Sequence, residues 1–223
     1  MQVLVIAAHP DDEVYGMGGT IAKLSSQGHE VYILFVTEGC SAQYPNNPNI
    51  IEEKKQDALK CKQILNIKEV FFGNLPDMKL DGVPHVEINA VIEEAVNTIR
   101  PDIVYTHNKG DVNKDHRLVY ESTLVACRPT AGKCVKKLLS YQVPSSSEWC
   151  SSRADEIFTP NVFEEIEDYA EIKHRAILAY QTEIREYPHP RSLEYITLWD
   201  RSIGMKVGLK QSEGFQLIRA MYL

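Results

Sequence analysis

Short apolar runs alternate with amphipathic stretches up to Cys127, and that alternation is what most narrows the fold. Residues 2–8 (QVLVIAA) form the first run, 30–37 (EVYILFVT) the second, 69–72 the third and 103–106 (IVYT) the fourth. Val- and Ile-rich runs without polar alternation read as strands buried on both faces. Between them, 13–27, 50–65 and 86–99 place apolar residues at helical spacing. In the first of these, Val14, Met17, Ile21 and Leu24 share one face. Gly28 stands where a C-cap glycine closes that helix. A further helix, 116–127, follows the fourth strand. The pattern specifies an α/β fold: a Rossmann-like, doubly wound, mainly parallel sheet with helices on both faces.

After Cys127 the alternation weakens. The sequence predicts strands over 135–143, 155–158 and 214–222, a long charged helix over 164–185, and a helix over 193–210. Gly204 and Gly208 lie four apart in that last helix, a spacing that suits close packing. Tyr187-Pro188-His189-Pro190-Arg191-Ser192 reads as a rigid, proline-flanked loop. With no internal repeat and no linker, residues 1–223 read as a single domain.

Net charge is −7, from 24 basic against 31 acidic residues. There is no basic run, which argues against nucleic acid and anionic membrane as partners. No stretch reaches the length of a membrane span. The first strand lacks a basic leader and runs straight into charged residues, so it does not read as a signal peptide. Five cysteines (Cys40, Cys61, Cys127, Cys134, Cys150) are widely spaced and form no C-x-x-C pair. Reduced thiols in a cytoplasmic protein are the simplest expectation.

The chemistry concentrates at two strand ends. Strand one runs into His9-Pro10-Asp11-Asp12-Glu13, and strand four into the segment from His107 to His116. Asp11 or Asp12 alone would serve as a helix cap, but one imidazole and three carboxylates in five residues exceed what a cap needs. In a doubly wound sheet, strands two and three lie to one side of strand one and strand four to the other. The two polar bursts then face each other at the topological switch point. His9, Asp12 and His116 would give a His₂-carboxylate set with a fourth position free, the ligand count of a catalytic zinc. Zinc lowers the pKa of bound water to about 7, and Asp11 beside a ligand is placed to act as general base. Taken singly, His116 also fits a surface histidine opening a helix, and His107 a loop-bonded one. Asp115 fits either a helix cap or a carboxylate orienting a ligand imidazole.

These residues carry a resemblance. Ala8-His9-Pro10-Asp11-Asp12-Glu13 resembles the hallmark of the LmbE-like (PIG-L) zinc-dependent N-acetylglucosamine deacetylases. Thr106-His107-Asn108 with Asp111-Val112-Asn113-Lys114-Asp115-His116-Arg117 is similar to the family's second metal motif. Ser145-Ser146-Ser147-Glu148-Trp149, His189-Pro190-Arg191-Ser192 and Glu213-Gly214-Phe215 match later segments. The resemblance implies zinc held by His9, Asp12 and His116, with Asp11 as base. It also implies a small-molecule N-acetyl sugar as substrate and makes a homo-oligomer plausible.

One position departs from the pattern. Asn113 stands where several members carry a histidine that steadies the tetrahedral oxyanion. Asparagine donates a hydrogen bond but carries no charge, and losing one such donor costs on the order of 10²-fold in rate. His189, reaching in on its proline-flanked loop from this chain or a neighbouring subunit, is the expected replacement, with His107 the alternative. Arg191 is a candidate contact for an anionic substrate group, or equally a structural salt bridge. Tyr180, Tyr187, Tyr195 and Trp199 read as core and interface rather than as a sugar platform.

The function expected from the sequence is zinc-dependent removal of acetyl from an N-acetylamino sugar or its conjugate. Two alternatives stand beside it: a nucleotide-binding Rossmann module built on Gly16, Gly18 and Gly19, and a metal-binding but inactive relative marked by Asn113. The glycine spacing does not match G-x-G-x-x-G, and the carboxylates before it would repel phosphate.

Overall fold

The computed structural model describes residues 1–40, 42–130, 135–151 and 153–222. Cys134 lies outside the described residues. β1 (Gln2–Ala7), β2 (Glu30–Thr37), β3 (Glu69–Leu75), β4 (Ile103–His107) and β5 (Lys137–Tyr141) are parallel, and β6 (Val162–Glu165) and β7 (Ser212–Ala220) complete one sheet. The order is β3-β2-β1-β4-β5-β7-β6, with the β7 pairings antiparallel.

The helices are α1 (Asp12–Ser26), α2 (Ile50–Ile64), α3 (His85–Ile99), α4 (Lys114–Ala126), α5 (Ala170–Ile177) and α6 (Leu193–Met205). They cover both faces, and β1 shows why its sequence is apolar throughout. Val3, Val5 and Ala7 pack on one side with α1, α2, α5 and α6. Leu4, Ile6 and Ala8 pack on the other with α3 and α4. Side chains alternate across a strand, so a strand covered on both faces has no polar side to show.

β1 lies between β2 and β4, so the chain reverses its winding there, as expected of a doubly wound sheet. Val3, Leu4 and Val5 pair with Ile103, Val104 and Tyr105. That register brings the two polar strand ends level. Thr37 fixes the end of β1: both its backbone N–H and its hydroxyl donate to the Ala8 carbonyl, at 2.9 and 2.8 Å.

The C-terminal third departs from expectation. Residues 164–185 do not form one long helix. Glu164 and Glu165 extend β6, pairing with Glu213 and Ser212 of β7, and α5 occupies only Ala170–Ile177. Strand pairing at the sheet edge overrides the helical propensity of this charged segment. The strand expected over 155–158 is turn and loop, and the edge strand lies at Val162–Glu165 instead. α6 stops at Met205. Gly204 does serve packing, since a Cβ there would lie 2.7 Å from the Leu209 carbonyl oxygen, but Gly208 takes a left-handed φ of 76° beyond the helix and packs on nothing.

The glycines after β1 also find their reason in packing. A Cβ on Gly16 would sit 2.5 Å from a Tyr141 ring carbon, and one on Gly19 would sit 2.9 Å from Ile166. They let α1 close onto the sheet and onto Ile166, and they form no phosphate cradle. No helix among the described residues is long and apolar enough to cross a membrane.

Candidate metal centre

Three side chains from two strand ends converge. Ligand atoms of His9, Asp12 and His116 all lie within 4.8 Å of one another, and all three residues are buried. His9 Nδ1 is 3.2 Å from Asp12 Oδ2 and 3.3 Å from His116 Nε2, and His116 Nε2 is 3.4 Å from the same Asp12 oxygen. The second Asp12 oxygen, Oδ1, is buried with no hydrogen-bond partner. Burial works to raise the Asp12 carboxyl, but the His116 and His107 imidazoles hold it well below the usual carboxylate range. An ionised, half-satisfied carboxylate between two imidazoles, inside protein, is a donor set that fits a divalent cation.

Each of the two imidazoles has a carboxylate behind it. His116 Nδ1 lies 3.1 Å from Asp111 Oδ2. Asp111 is fixed in turn by the Ser146 hydroxyl, the Ser147 hydroxyl at 2.6 Å and the Asn113 N–H at 2.8 Å. Although burial opposes its charge, His116 and these bonds bring Asp111 down to about 2. His9 Nε2 faces Asp115 Oδ2 at 3.2 Å and Asp77 Oδ1 at 3.6 Å. Carboxylates placed in this way fix the tautomer and direction of an imidazole ligand.

Asp11 sits beside the cluster in a strained backbone, with φ 128° and ψ −28°. Its N–H donates to Glu13 Oε2 at 3.0 Å, and Glu13 is held by the Tyr180 hydroxyl at 2.7 Å. A non-glycine residue at this φ persists only where its surroundings impose it. Burial pushes the Asp11 carboxyl up to about 7, against the pull of Arg191. Arg191 Nη1 lies 3.0 Å from Asp11 Oδ2 and also pairs with Glu183, which is itself paired with the buried Lys54. The result is a chain of alternating charges from α2 to the catalytic-base candidate.

Comparison with known proteins gives a family. The model of the PIG-L family, described as GlcNAc-PI de-N-acetylase, matches residues 4–127. The chain belongs to the PIG-L family. An uncharacterized deacetylase of Escherichia coli, YaiS, is 30% identical over 81% of this chain and 90% of its own length. Diacetylchitobiose deacetylase of Thermococcus kodakarensis is 25% identical over 100% of this chain and 85% of its own. Among solved structures, the 4-carboxy-2-hydroxymuconate hydratase GalB of Pseudomonas putida aligns at a TM-score of 0.80 and 19% identity, covering 100% of this chain and 98% of its own. That last likeness concerns the fold alone, which does not by itself fix a reaction.

With the PIG-L fold established, each residue singled out in the sequence has a place. Asp115 lies behind His9, not His116, and its Oδ1 accepts the Leu80 N–H at 3.2 Å. Asn113 caps α4: its Oδ1 accepts the Asp115 N–H at 2.9 Å, while its amide nitrogen faces Met78 Sδ at 3.5 Å and the cleft. His189 lines the cleft from within this chain, with its Nδ1 accepting the Arg191 N–H at 3.0 Å.

His107 is placed differently from expectation, and of the two roles expected of Arg191 the structure shows the salt bridge. His107 does not line the cleft. It is fully buried, stacked on His116 with ring centroids 3.9 Å apart, and its Nε2 accepts the Ala8 N–H at 2.8 Å. Burial and the adjacent His116 hold its pKa well below the ordinary value, and its ring lies directly under that of His116. Arg191 reaches the cleft, but its charge is already met by two carboxylates.

Sequence reasoning missed several contributors. Glu183 and Lys54 have no local motif around them. Asp77 sits in a loop that reads as a turn. Asp111 was readable only as one acid among several in the second motif, and Glu13 only as the fifth residue of the first.

Proposed function

We propose that this protein is a zinc-dependent hydrolase that removes the acetyl group from an N-acetylglucosamine-type amino sugar or its conjugate, releasing acetate and a free amine. The observation that carries the reading is the buried His9–Asp12–His116 set, with its unpartnered Asp12 oxygen, beside Asp11. His9, Asp12 and His116 would hold the metal. When bound, zinc supplies a water acidic enough to ionise near neutral pH and a Lewis acid for the acetamide oxygen.

The chain's own residues supply the rest. Asp11 accepts the proton of the attacking water and passes it to the amine nitrogen as the C–N bond breaks. Its burial favours the protonated carboxyl and so suits it to hold the proton between the two transfers. The His189 ring is held neutral by burial and by Arg191 and Arg185, and its Nδ1 is committed to a backbone N–H. Its Nε2–H is therefore the donor for the developing oxyanion, with the Asn113 amide as a weaker second. Asp111 and Asp115 keep the two imidazoles in their liganding tautomers.

Membership of the PIG-L family supports the reaction class. The unpaired thiols of Cys40, Cys61, Cys127 and Cys150 fit a cytoplasmic location, and a homo-oligomer remains part of the reading.

The test is metal content by elemental analysis together with acetate release from a panel of N-acetylamino sugars. One zinc per chain is expected, with activity lost by 10²-fold or more in Asp11→Asn at unchanged metal content. Bound zinc without turnover of any N-acetyl sugar, and indifference to Asp11→Asn, would leave an inactive metal-binding relative.

A further inference from the structure

Glu213 opens the Glu213-Gly214-Phe215 segment and takes no part in the metal cluster or the lining of the cleft. It stands in β7 and is 3% exposed. Its carboxylate reaches the middle of α1, where Oε1 accepts the Gly19 N–H at 3.0 Å and Oε2 the Thr20 N–H at 2.7 Å. An unbroken helix commits such N–H groups to its own carbonyls. α1 is broken at Met17, whose φ of −155° and ψ of 27° are not helical.

α1 is therefore two helical pieces. Counted from Met17, Gly19 and Thr20 hold the second and third positions of the second piece, the N–H groups that an N-cap side chain serves. Met17 offers no such acceptor. The Glu213 carboxylate takes its place from β7, and the helix dipole favours its charge there. Lys173 Nζ, 2.8 Å from Oε1, balances that charge inside the protein, and Asp200 holds Lys173 from the other side.

The piece before Met17 carries the site. The Asp11 carbonyl accepts the Val14 and Tyr15 N–H groups, both at 3.1 Å, and Asp12 Oδ2 accepts the His9 N–H at 2.9 Å. Asp11, Asp12 and His9 are thus tied to this one turn. The two pieces seat on different partners. A Cβ on Gly16 would lie 2.9 Å from the Gln142 carbonyl oxygen, whereas Cβ atoms on Gly18 and Gly19 would lie 3.1 Å from Lys173 Cγ and 2.9 Å from Ile166.

We propose that Glu213 is a positioning residue for the metal centre: by capping the second piece of α1 it holds the break at Met17, and with it the turn that carries Asp11 and Asp12. Without the cap, the Gly19 and Thr20 N–H groups regain partners by bonding back to the Tyr15 and Gly16 carbonyls. That straightens α1 and draws the turn away from His116. The inference rests on the proposed reading of the site as a catalytic metal centre.

The test uses Glu213→Gln, which keeps the size of the side chain but offers one acceptor in place of two. Glu213→Asp is carried alongside. It keeps a charge facing Lys173 but is one methylene short of the two N–H groups. Asp200→Asn is the control, because it alters the same buried network without touching the cap. Zinc affinity by chelator competition is expected to fall about tenfold in both Glu213 variants. Their kcat for acetate release should fall about tenfold, with KM within about twofold of the unaltered protein. Asp200→Asn should leave all three quantities unchanged. Amide exchange of the full chain, read by mass spectrometry, should quicken in the Glu213 variants over residues 11–16 as well as 18–20. Zinc affinity and exchange need no substrate, so failure of the deacetylase reading and failure of this inference stay distinguishable. Loss of stability alone, with zinc affinity and exchange over 11–16 unchanged in both Glu213 variants, would make Glu213 a purely structural cap and overturn the inference.

Discussion

Arg191 Nη1 stands 3.0 Å from Asp11 Oδ2, with Glu183 on the same nitrogen and Lys54 behind Glu183. The guanidinium therefore belongs to the machinery that holds Asp11. Arg191→Met should lower kcat, by tenfold or more, with a smaller change in KM. It should also cost about 2–4 kcal/mol of stability, since it leaves the buried Asp11 without its cation while Glu183 keeps Lys54. A variant with raised KM and intact kcat would instead make Arg191 a substrate contact.

Asp111 anchors His116 from behind, and three donors anchor Asp111. Asp111→Asn keeps the shape but replaces the carboxylate facing His116 Nδ1. Loss of a carboxylate partner behind a histidine ligand costs on the order of 10- to 100-fold in metal affinity. Chelator competition measures this directly, and an unchanged zinc affinity would show that His116 needs no such support.

Away from the cleft, the Lys173 ammonium is shared by two carboxylates. It donates to both Asp200 oxygens at 2.9 Å and lies 2.8 Å from Glu213, whose oxygens also accept the Gly19 and Thr20 N–H groups. Burial and Glu213 push Asp200 up to about 7, against the pull of Lys173. The folded state then holds a proton that the unfolded chain releases near pH 4. Stability from this group is fully present below that unfolded value and is lost as pH rises towards 7. Asp200→Asn should flatten that part of the dependence of Tm on pH. Parallel Tm curves for the two proteins between pH 5 and 7.5 would contradict it.

Gly39 follows β2 with φ 73°, and a Cβ there would meet the Pro10 ring carbon Cδ at 2.1 Å. Gly39→Ala combines a left-handed backbone with a clash against the residue that aims His9. A loss of roughly 2–4 kcal/mol is expected, together with weaker metal binding. Denaturant titration and metal analysis check the two parts, and a neutral substitution would mean that the loop relaxes freely.

Much of the architecture was legible because it rests on local signals. The apolar runs of β1, β2 and β4 have no polar face, so each had to be covered on both sides. The winding order then brought the His9 and His116 segments together without any contact being known. The C-terminal third was less legible. Residues 164–185 carry charge and helix formers, yet two of them pair with β7, a partner almost fifty residues further on. The propensity of a short segment does not register a distant strand.

The candidate site divides in the same way. The sequence by itself determined the candidate ligand types and their convergence, because His9, Asp12 and His116 sit in compact motifs at adjacent strand ends. Only the tertiary structure decided what each neighbour does. It buried His107 beneath His116, set Asp111 rather than Asp115 behind that imidazole, and compensated Arg191 with Asp11 and Glu183. A motif fixes which groups are present at one place in the chain. Ion pairing and burial depend on which residues from other segments fill the remaining directions around each group, and those come from α2, the loop after α5 and the Ser146–Ser147 turn.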